Sequence, residues 1–346
     1  MPITLTCAFS DNPRIAPIAD GTVQPEYCNL DVVKISGGLL FFRNLKYDEF
    51  DCSEMSISET MLAMERGGGK KWDWSAIPVF LSRGQFWAGM YANTKSGINS
   101  FADLKGKRIG VPDYDMTATL WMRILMKDLY GIEASDNIWY NGRTTGFSHG
   151  GPLGLHLEGQ GPVGVEHHWT TSDQYLDVML DNGELDAAII QPQSALHPGE
   201  TVSMDRYGGT PLVGNPNIKR ILDDEGKAVI SEFYKKTGAY HANHHVIVQN
   251  RILRDHPWVA MDLFRTFQRS KEVAYERAQR ALRGYLYFPG ATFTEEASVF
   301  GADPYPLGLK AMGTTVSRAI KGSLEQGLIR KPLEYKDIYH STTLGT

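Results

Sequence analysis

Two short segments of the chain combine hydroxyl side chains with the start of a predicted helix, an arrangement that can hold a small anion. The first segment is Phe50–Glu59 and the second is Lys105–Thr119. Each is typical of a short strand followed by a polar turn and a helix start. A helix start offers unpaired backbone N–H groups and the positive end of the helix dipole. Two such starts facing each other would hold a small anion, most simply a carboxylate.

The elements that must position these segments alternate between strands and helices. Alternating apolar and polar residues predict a strand over Ile3–Phe9, and an apolar run predicts another over 76–81. Helical spacing predicts a helix over Met116–Tyr130, which Gly131 ends. This alternation is typical of largely parallel sheets covered by helices.

A capping box is predicted at the start of the helix that follows the first segment. Ser56 lies three residues before Glu59, which is the spacing at which the two side chains bond each other's backbone N–H groups. Residues 146–164, by contrast, are rich in glycine and proline and predict a mobile loop.

The strand–helix alternation occurs on both sides of a middle segment, which predicts two lobes. Lobe one comprises residues 1–90 and 246–346, and lobe two comprises residues 91–245. The chain would cross between the lobes at hinges near residues 90 and 245. The predicted fold class is therefore α/β, with two lobes that each contain a mostly parallel sheet flanked by helices.

Composition restricts the partners and the compartment. The 346 residues are 42% hydrophobic with a net charge of −5, which fits a soluble globular protein without a broad basic surface for nucleic acid. Three sparse cysteines favour a reduced compartment. Residues 1–9 lack a secretory signal, and no apolar run reaches the ~20 residues of a membrane span. We expect a cytoplasmic protein with no membrane partner; removal of a signal peptide would give the same picture.

Segments along nearly the whole chain match a known family. They are Phe50–Ser56, Ile77–Arg83, Asp103–Pro112, Gly183–Ile189, Thr237–Gly238 with His244, His256–Ala260, Asp303–Leu309 and Glu325–Leu328. On these segments the chain resembles the 4,5-dihydroxyphthalate decarboxylase family, which shares the fold of type II periplasmic solute-binding proteins. The D-L-K-G-K-R block supports the fold alone, whereas S-E-M-S, P-V-F-x-S-R and D-P-x-P-x-G-L are more specific to the decarboxylase-like branch.

The resemblance implies that CO2 is removed from a hydroxylated aromatic ring such as 4,5-dihydroxyphthalate. The ring carbon bearing the leaving carboxylate is protonated, a ring hydroxyl stabilises the intermediate, and loss of CO2 restores aromaticity. This needs a cationic clamp for the carboxylate that stays, a proton donor and a dry site, but no organic cofactor. The alternative is a non-catalytic solute-binding protein for an aromatic or other small carboxylate. A homo-oligomer is left open.

Two arginines are candidates for the clamp. Arg83 follows the strand over 77–81 at its carboxyl end, where open α/β sheets bind ligands, and a guanidinium forks onto a carboxylate. Arg14 follows the first strand in the same way. The alternatives are a surface salt bridge for Arg83 and a solvated helix position for Arg14.

His244 is the candidate proton donor, because histidine titrates near neutral pH. Glu54 would orient a hydroxyl or act as the acid if burial raised its pKa. The alternatives are a structural histidine and a salt-bridge partner.

Four more side chains are candidates for substrate binding. Ser53, Ser56 and Thr117 would donate hydrogen bonds, although helix capping explains each of them equally well. Tyr114 would stack on an aromatic ligand or bond to it, and loop packing is the alternative.

Two histidine-containing runs, His241–His245 and Glu166–His168, carry the ligand types for a divalent metal. Neither has the H-E-x-x-H spacing, and adjacent residues of a strand point to opposite faces. A divalent metal therefore stays an alternative. The chain also has Phe86 and Trp87 where relatives carry an Arg-His pair, which leaves the exact substrate open.

Overall fold

Strands and helices alternate along the computed structural model, which describes residues 2–67, 69–190, 204–303 and 305–346. The strands, in chain order, are β1 Ile3–Phe9, β2 Cys28–Lys34, β3 Cys52–Ser56, β4 Trp74–Ser82, β5 Tyr91–Asn93, β6 Arg108–Val111, β7 Ile138–Asn141, β8 Glu166–Trp169, β9 Ala187–Ala188, β10 Ile218–Arg220 and β11 His244–Gln249. The helices are α1 Ala16–Ala19, α2 Gly37–Tyr47, α3 Ile57–Gly67, α4 Thr117–Tyr130, α5 Leu176–Asp181, α6 Lys227–Thr237, α7 Asn250–Asp255, α8 Val259–Tyr285, α9 Phe293–Phe300, α10 Leu309–Glu325 and α11 Tyr335–Ile338.

The first sheet has the strand order β2-β1-β3-β11-β4. Strands β2 and β3 run parallel to β1, whereas β11 runs antiparallel to both of its neighbours, β3 and β4. Strand β11 comes from far along the chain and is inserted between two strands that follow each other in sequence. It therefore places residues near 244 beside residues 52–56 and 74–82.

The second sheet has the order β10-β5-β9-β6-β7-β8. Strand β6 is parallel to β7 and β9, and β7 is parallel to β8, whereas β5 is antiparallel to β9 and β10. The predicted α/β fold of two sheets flanked by helices is confirmed, with both sheets mixed because each receives one antiparallel strand. The predicted lobe boundaries and hinges stay a prediction.

Alternation along β11 shows how the first sheet forms a core on both faces. Val246 and Val248 belong to one buried cluster with Phe267 of α8, whereas Ile247 belongs to another cluster with Leu40 of α2. Successive side chains of a strand point to opposite faces, so a continuous apolar run can serve two layers of helices. Full burial of each such side chain contributes about 1.5–3 kcal/mol.

The chain forms two compact units, residues 1–274 and 275–346, and both sheets lie in the first. In the second unit, α9 begins at a capping box between Thr292 and Glu295, and the Tyr335 hydroxyl donates to the Gly313 carbonyl of α10 at 2.8 Å. Pro304, from the D-P-x-P-x-G-L segment, lies outside the described residues. None of the helices in the described part of the chain has the length and apolar character needed to cross a membrane.

The first part of the predicted glycine-rich loop, residues 148–155, packs against the protein, whereas most of 156–164 is exposed. Ser148 and His149 are buried, and Leu153 joins the core beneath α2 and α3. A side chain at Gly151 would overlap the Thr145 carbonyl oxygen, so glycine permits a turn tight enough to bury this segment.

Candidate functional site

Polar side chains collect at one edge of the first sheet, where β3 and β4 end and the antiparallel β11 begins. His244, the first residue of β11, pairs with Ser56 of β3 on one side and with Ser82 of β4 on the other. The carboxyl ends of parallel strands are where open α/β sheets bind ligands. The register of β11 therefore places an imidazole at the edge where a ligand site is expected.

A buried carboxylate bonds the His244 imidazole. Glu54 Oε1 lies 2.6 Å from His244 Nδ1, and Glu54 Oε2 accepts hydrogen bonds from the Ser10 backbone N–H at 2.9 Å and the Ser10 hydroxyl at 2.6 Å. Burial opposes the charged form, but the bonds from His244 and Ser10 hold the pKa of Glu54 below its usual value. Glu54 is therefore an ionised acceptor, and Nδ1 of His244 carries the proton between them.

The second nitrogen of His244 has no hydrogen-bond partner among the described residues, and 17% of the side chain is exposed. The ring lies edge-to-face with Phe41 at 4.7 Å between centroids. A Cβ at Gly37 would lie 3.8 Å from His244 Cε1, so the start of α2 is beside the ring. The α2 N-cap, Ser36, makes no side-chain capping bond. The first backbone N–H groups of α2, which have no hydrogen-bond partner among the described residues, therefore lie at the helix start beside the His244 ring.

Both candidate arginines lie near the carboxyl end of β4. Arg83 follows Ser82 directly, is exposed, and has no hydrogen bond or ion pair within the described ranges. The Arg14 guanidinium donates to the Leu81 carbonyl. A cation without a counter-ion at the His244 edge is compatible with a carboxylate clamp, and the roles of both arginines stay predictions.

The two predicted helix starts do meet, and their hydroxyl groups bond each other. Ser56 Oγ lies 2.9 Å from Thr117 Oγ1, which also accepts from the Ser58 backbone N–H at 2.9 Å. All three residues are buried. The capping box predicted for Ser56 and Glu59 is wrong, because the Ser56 hydroxyl bonds Thr117 of α4 and the Glu59 carboxylate bonds His149 in the loop after β7. Substrate binding by Ser56 and Thr117 stays a prediction.

Two other candidates lie away from the His244 ring. Ser53 is buried on β3, where alternation places it on the face opposite to Glu54. The Tyr114 ring packs under the Arg123 guanidinium at 3.7 Å and against Trp139 at 5.6 Å. These contacts favour loop packing for Tyr114, and substrate binding by either residue stays a prediction.

A second buried histidine–carboxylate pair was missed in the sequence. His149 Nδ1 lies 2.8 Å from Glu59 Oε1, and both side chains are at most 1% exposed. Arg143 Nη1 donates to Asp113 Oδ2 at 2.9 Å and lies 3.2 Å from His149 Nε2. Sequence separations of up to 90 residues leave no local periodicity, so the polar residues within a packed glycine-rich loop were the only signal.

The predicted metal ligands do not converge. His241 is enclosed by aromatic rings, including Trp121 at 5.3 Å, whereas His168 bonds Glu166 at the end of the second sheet. Within the described ranges, no three His, Cys, Asp or Glu side chains are placed to hold a metal ion. The residues present therefore do not fit the predicted metal sites.

The two residues that replace the relatives' Arg-His pair have different surroundings. Trp87 is fully buried and packs on Phe101 and His241, so it fills the core of the second sheet. Phe86 is 41% exposed. Trp87 therefore does not enlarge a pocket.

Comparison with known proteins gives two curated relatives. A 4,5-dihydroxyphthalate decarboxylase from Comamonas testosteroni is 28% identical over 344 residues, covering 99% of this chain and 98% of the relative. An enzyme of the same name from Pseudomonas putida is 35% identical over 188 residues, covering 54% of this chain and 70% of the relative. No protein-family model matches the chain.

Two solved structures that align with the chain are binding proteins for sulphonates. The aliphatic sulphonate binding protein of Escherichia coli aligns with a TM-score of 0.43 at 11% identity, covering all of both chains. The alkanesulfonate-binding protein of Xanthomonas axonopodis pv. citri aligns with a TM-score of 0.39 at 11% identity, covering 96% of each chain. The two curated relatives show that the chain belongs to the 4,5-dihydroxyphthalate decarboxylase family.

Proposed function

We propose that the protein removes CO2 from a hydroxylated aromatic carboxylic acid such as 4,5-dihydroxyphthalate, and that His244 protonates the ring carbon. Family membership makes the protein a carboxy-lyase. The observation that supports this mechanism is the His244 imidazole, which is bonded through Nδ1 to the buried Glu54 carboxylate while Nε2 has no partner among the described residues.

The chemistry follows from the two nitrogens. With both protonated, His244 donates from Nε2 to the ring carbon that carries the leaving carboxylate, and the Glu54 carboxylate keeps the proton on Nδ1. A ring hydroxyl supplies the electrons that stabilise the protonated ring. The bond to the carboxylate carbon then breaks, its electron pair returns to the ring, and CO2 leaves. His244 regains its Nε2 proton from solvent at its exposed edge.

The same edge supplies groups for the carboxylate that stays on the ring. Arg83 offers a guanidinium fork without a counter-ion among the described residues, and the start of α2 offers backbone N–H groups. The Phe41 ring against His244 gives the site an apolar wall. An apolar wall favours departure of CO2, because a carboxylate loses its charge as it becomes CO2.

The proposed reaction includes no organic cofactor, because ring protonation and C–C cleavage transfer no electrons to an acceptor. We assign no step to a divalent metal, since the predicted ligands do not converge among the described residues.

The test is CO2 release and product analysis with 4,5-dihydroxyphthalate and a panel of hydroxybenzoic and phthalic acids, with and without chelator. We expect turnover that is indifferent to chelator, and His244→Gln should reduce it by about 10²-fold or more while substrate binding changes little. Near-normal turnover in His244→Gln would assign the proton donor elsewhere. Binding without CO2 release across the panel would support the non-catalytic solute-binding alternative.

A further inference from the structure

The proposed mechanism does not use the buried pair of His149 and Glu59. Burial opposes the charged imidazole, but the nearby Glu59 carboxylate more than offsets this and raises the pKa of His149. Both ring nitrogens of His149 have hydrogen-bond partners that lie far away along the chain. These partners show which part of the fold the ring holds in place.

The partners of His149 fix where its protons lie. Nδ1 faces Glu59 Oε1 at 2.8 Å, and Nε2 faces the Gly38 carbonyl oxygen at 2.8 Å. A carbonyl oxygen can only accept, so Nε2 must carry a hydrogen to bond Gly38, and Arg143 Nη1, a donor 3.2 Å from Nε2, then makes no hydrogen bond to it. The hydrogen on Nε2 therefore goes to the Gly38 carbonyl, and the hydrogen on Nδ1 goes to Glu59.

Through Gly38, His149 holds the first turn of α2. The helix has no side-chain cap of its own at Ser36, so an outside hydrogen bond fixes this turn. A Cβ at Gly38 would lie 3.6 Å from the Arg143 guanidinium, so the absence of a side chain permits the close approach.

The turn that His149 holds is the one against His244. Gly37 precedes Gly38 and lies beside the His244 ring, and Phe41 follows less than one turn later. The Phe41 ring contacts both imidazoles edge-to-face, at 4.7 Å from His244 and 5.9 Å from His149. Displacement of the first turn would therefore move the apolar wall and the N–H groups that flank the reactive nitrogen.

We propose that His149 is a positioning residue for the decarboxylation, which acts through the Gly38 carbonyl and Phe41 to hold the start of α2 against His244. The hydrogen bond to Glu59 orients the His149 ring, and the hydrogen bond to the Gly38 carbonyl holds the first turn of α2 in place. The inference deepens the proposed function and rests on it for the role of His244.

Two substitutions separate the two hydrogen bonds of His149. A glutamine amide reaches the place of Nε2 and can still donate to Gly38, whereas an asparagine amide reaches the place of Nδ1 and can bond only Glu59. Both remove the imidazole charge. We expect His149→Asn to lower kcat by about tenfold or more with little change in KM, and His149→Gln to keep kcat closer to wild type.

A second readout does not depend on turnover. The Cε1–H NMR resonance of His244, identified by its loss in His244→Gln, should shift in His149→Asn and stay near its wild-type position in His149→Gln. His241→Asn serves as the control for loss of a buried imidazole outside the site, and thermal unfolding of all variants measures folding. The His241→Asn control should lower stability without moving the His244 resonance.

Equal effects of the Asn and Gln substitutions on kcat and on the His244 resonance would overturn the proposal, as would no effect of either. If the wild-type protein releases no CO2 from any acid in the panel, the proposed function fails. The NMR comparison then still decides whether His149 positions the start of α2.

Discussion

The sharpest test of the Glu54–His244 pair is Glu54→Gln, which keeps the shape and removes the charge. The Glu54 carboxylate accepts three hydrogen bonds, two from Ser10 and one from His244. An amide has one acceptor oxygen, so its NH2 group must face at least one of these donors. The substitution therefore removes charge-assisted bonds and also places two donors against each other.

The expected loss of stability follows from that count. A hydrogen bond to a charged group contributes about 1.5–3 kcal/mol, so loss of the charge together with one opposed donor costs roughly 3 kcal/mol. The entropy of unfolding near 60 °C is about 2.1 cal/mol/K per residue, or about 0.7 kcal/mol/K for 346 residues. The melting temperature of Glu54→Gln should therefore fall by about 4 °C, and its turnover by about 10²-fold, because Nδ1 of His244 loses its anionic partner.

The loss of stability should depend on pH, and its sign is fixed by the direction of the pKa shift. The pKa of Glu54 is lower in the folded protein than the about 4.3 of an unfolded glutamate. Its contribution is therefore fully present above the unfolded pKa and is lost as pH falls through the folded pKa. The difference in melting temperature between wild type and Glu54→Gln should be largest near neutral pH and should shrink below about pH 4.

Melting temperature by circular dichroism across this pH range and CO2 release at neutral pH are the assays. Glu184→Gln is the matched control, because the same charge is removed at an exposed position. It should change neither quantity. A Glu54→Gln protein with wild-type stability and turnover would refute the reasoning, and so would a stability loss of constant size at all pH values.

Two further predictions concern the residues around this pair. Arg83→Lys keeps the charge but loses the guanidinium fork, so KM for phthalate-type dicarboxylates should rise about tenfold while the fold is unchanged; unchanged KM would remove Arg83 from the clamp. Thr117→Val leaves the Ser58 backbone N–H and the Ser56 hydroxyl without their partner, so thermal unfolding should show a loss of about 1–3 kcal/mol. Thr117→Ser keeps the hydroxyl and should stay near wild-type stability; a stability of Thr117→Val equal to wild type would show that the hydroxyl contributes nothing.

Local patterns in the sequence predicted the elements well. Alternation predicted the strand Ile3–Phe9, and helical spacing predicted a helix that ends at Tyr130, with Gly131 in the left-handed conformation at φ 67°. These signals are local, because the hydrophobic periodicity of a strand or helix and the residue that ends it both lie within the same segment of sequence. The position of Arg83 just after the carboxyl end of a strand followed from the same logic.

Contacts between distant residues could not be predicted in this way. Ser56 and Glu59 have capping-box spacing, yet their partners are Thr117 and His149, which lie 61 and 90 residues further along the chain. A serine and a glutamate at this spacing can form a capping box or can bond distant residues. Only the packing of the folded chain decides which of the two occurs. The burial of His149 and its bond to Glu59 could not be predicted, because a glycine-rich composition indicates a loop without indicating whether the loop is buried.

Two of the histidine–glutamate pairs in the described part of the chain, His244–Glu54 and His149–Glu59, have an imidazole edge-to-face with Phe41, and burial separates their roles. His244 keeps 17% of its side chain exposed and one nitrogen without a partner among the described residues, whereas His149 is 1% exposed and uses both nitrogens. A proton donor must exchange protons with substrate and solvent, which a fully bonded, buried imidazole cannot do without breaking its contacts. The same side-chain chemistry therefore suits His244 for proton transfer and His149 for holding the helix start beside it.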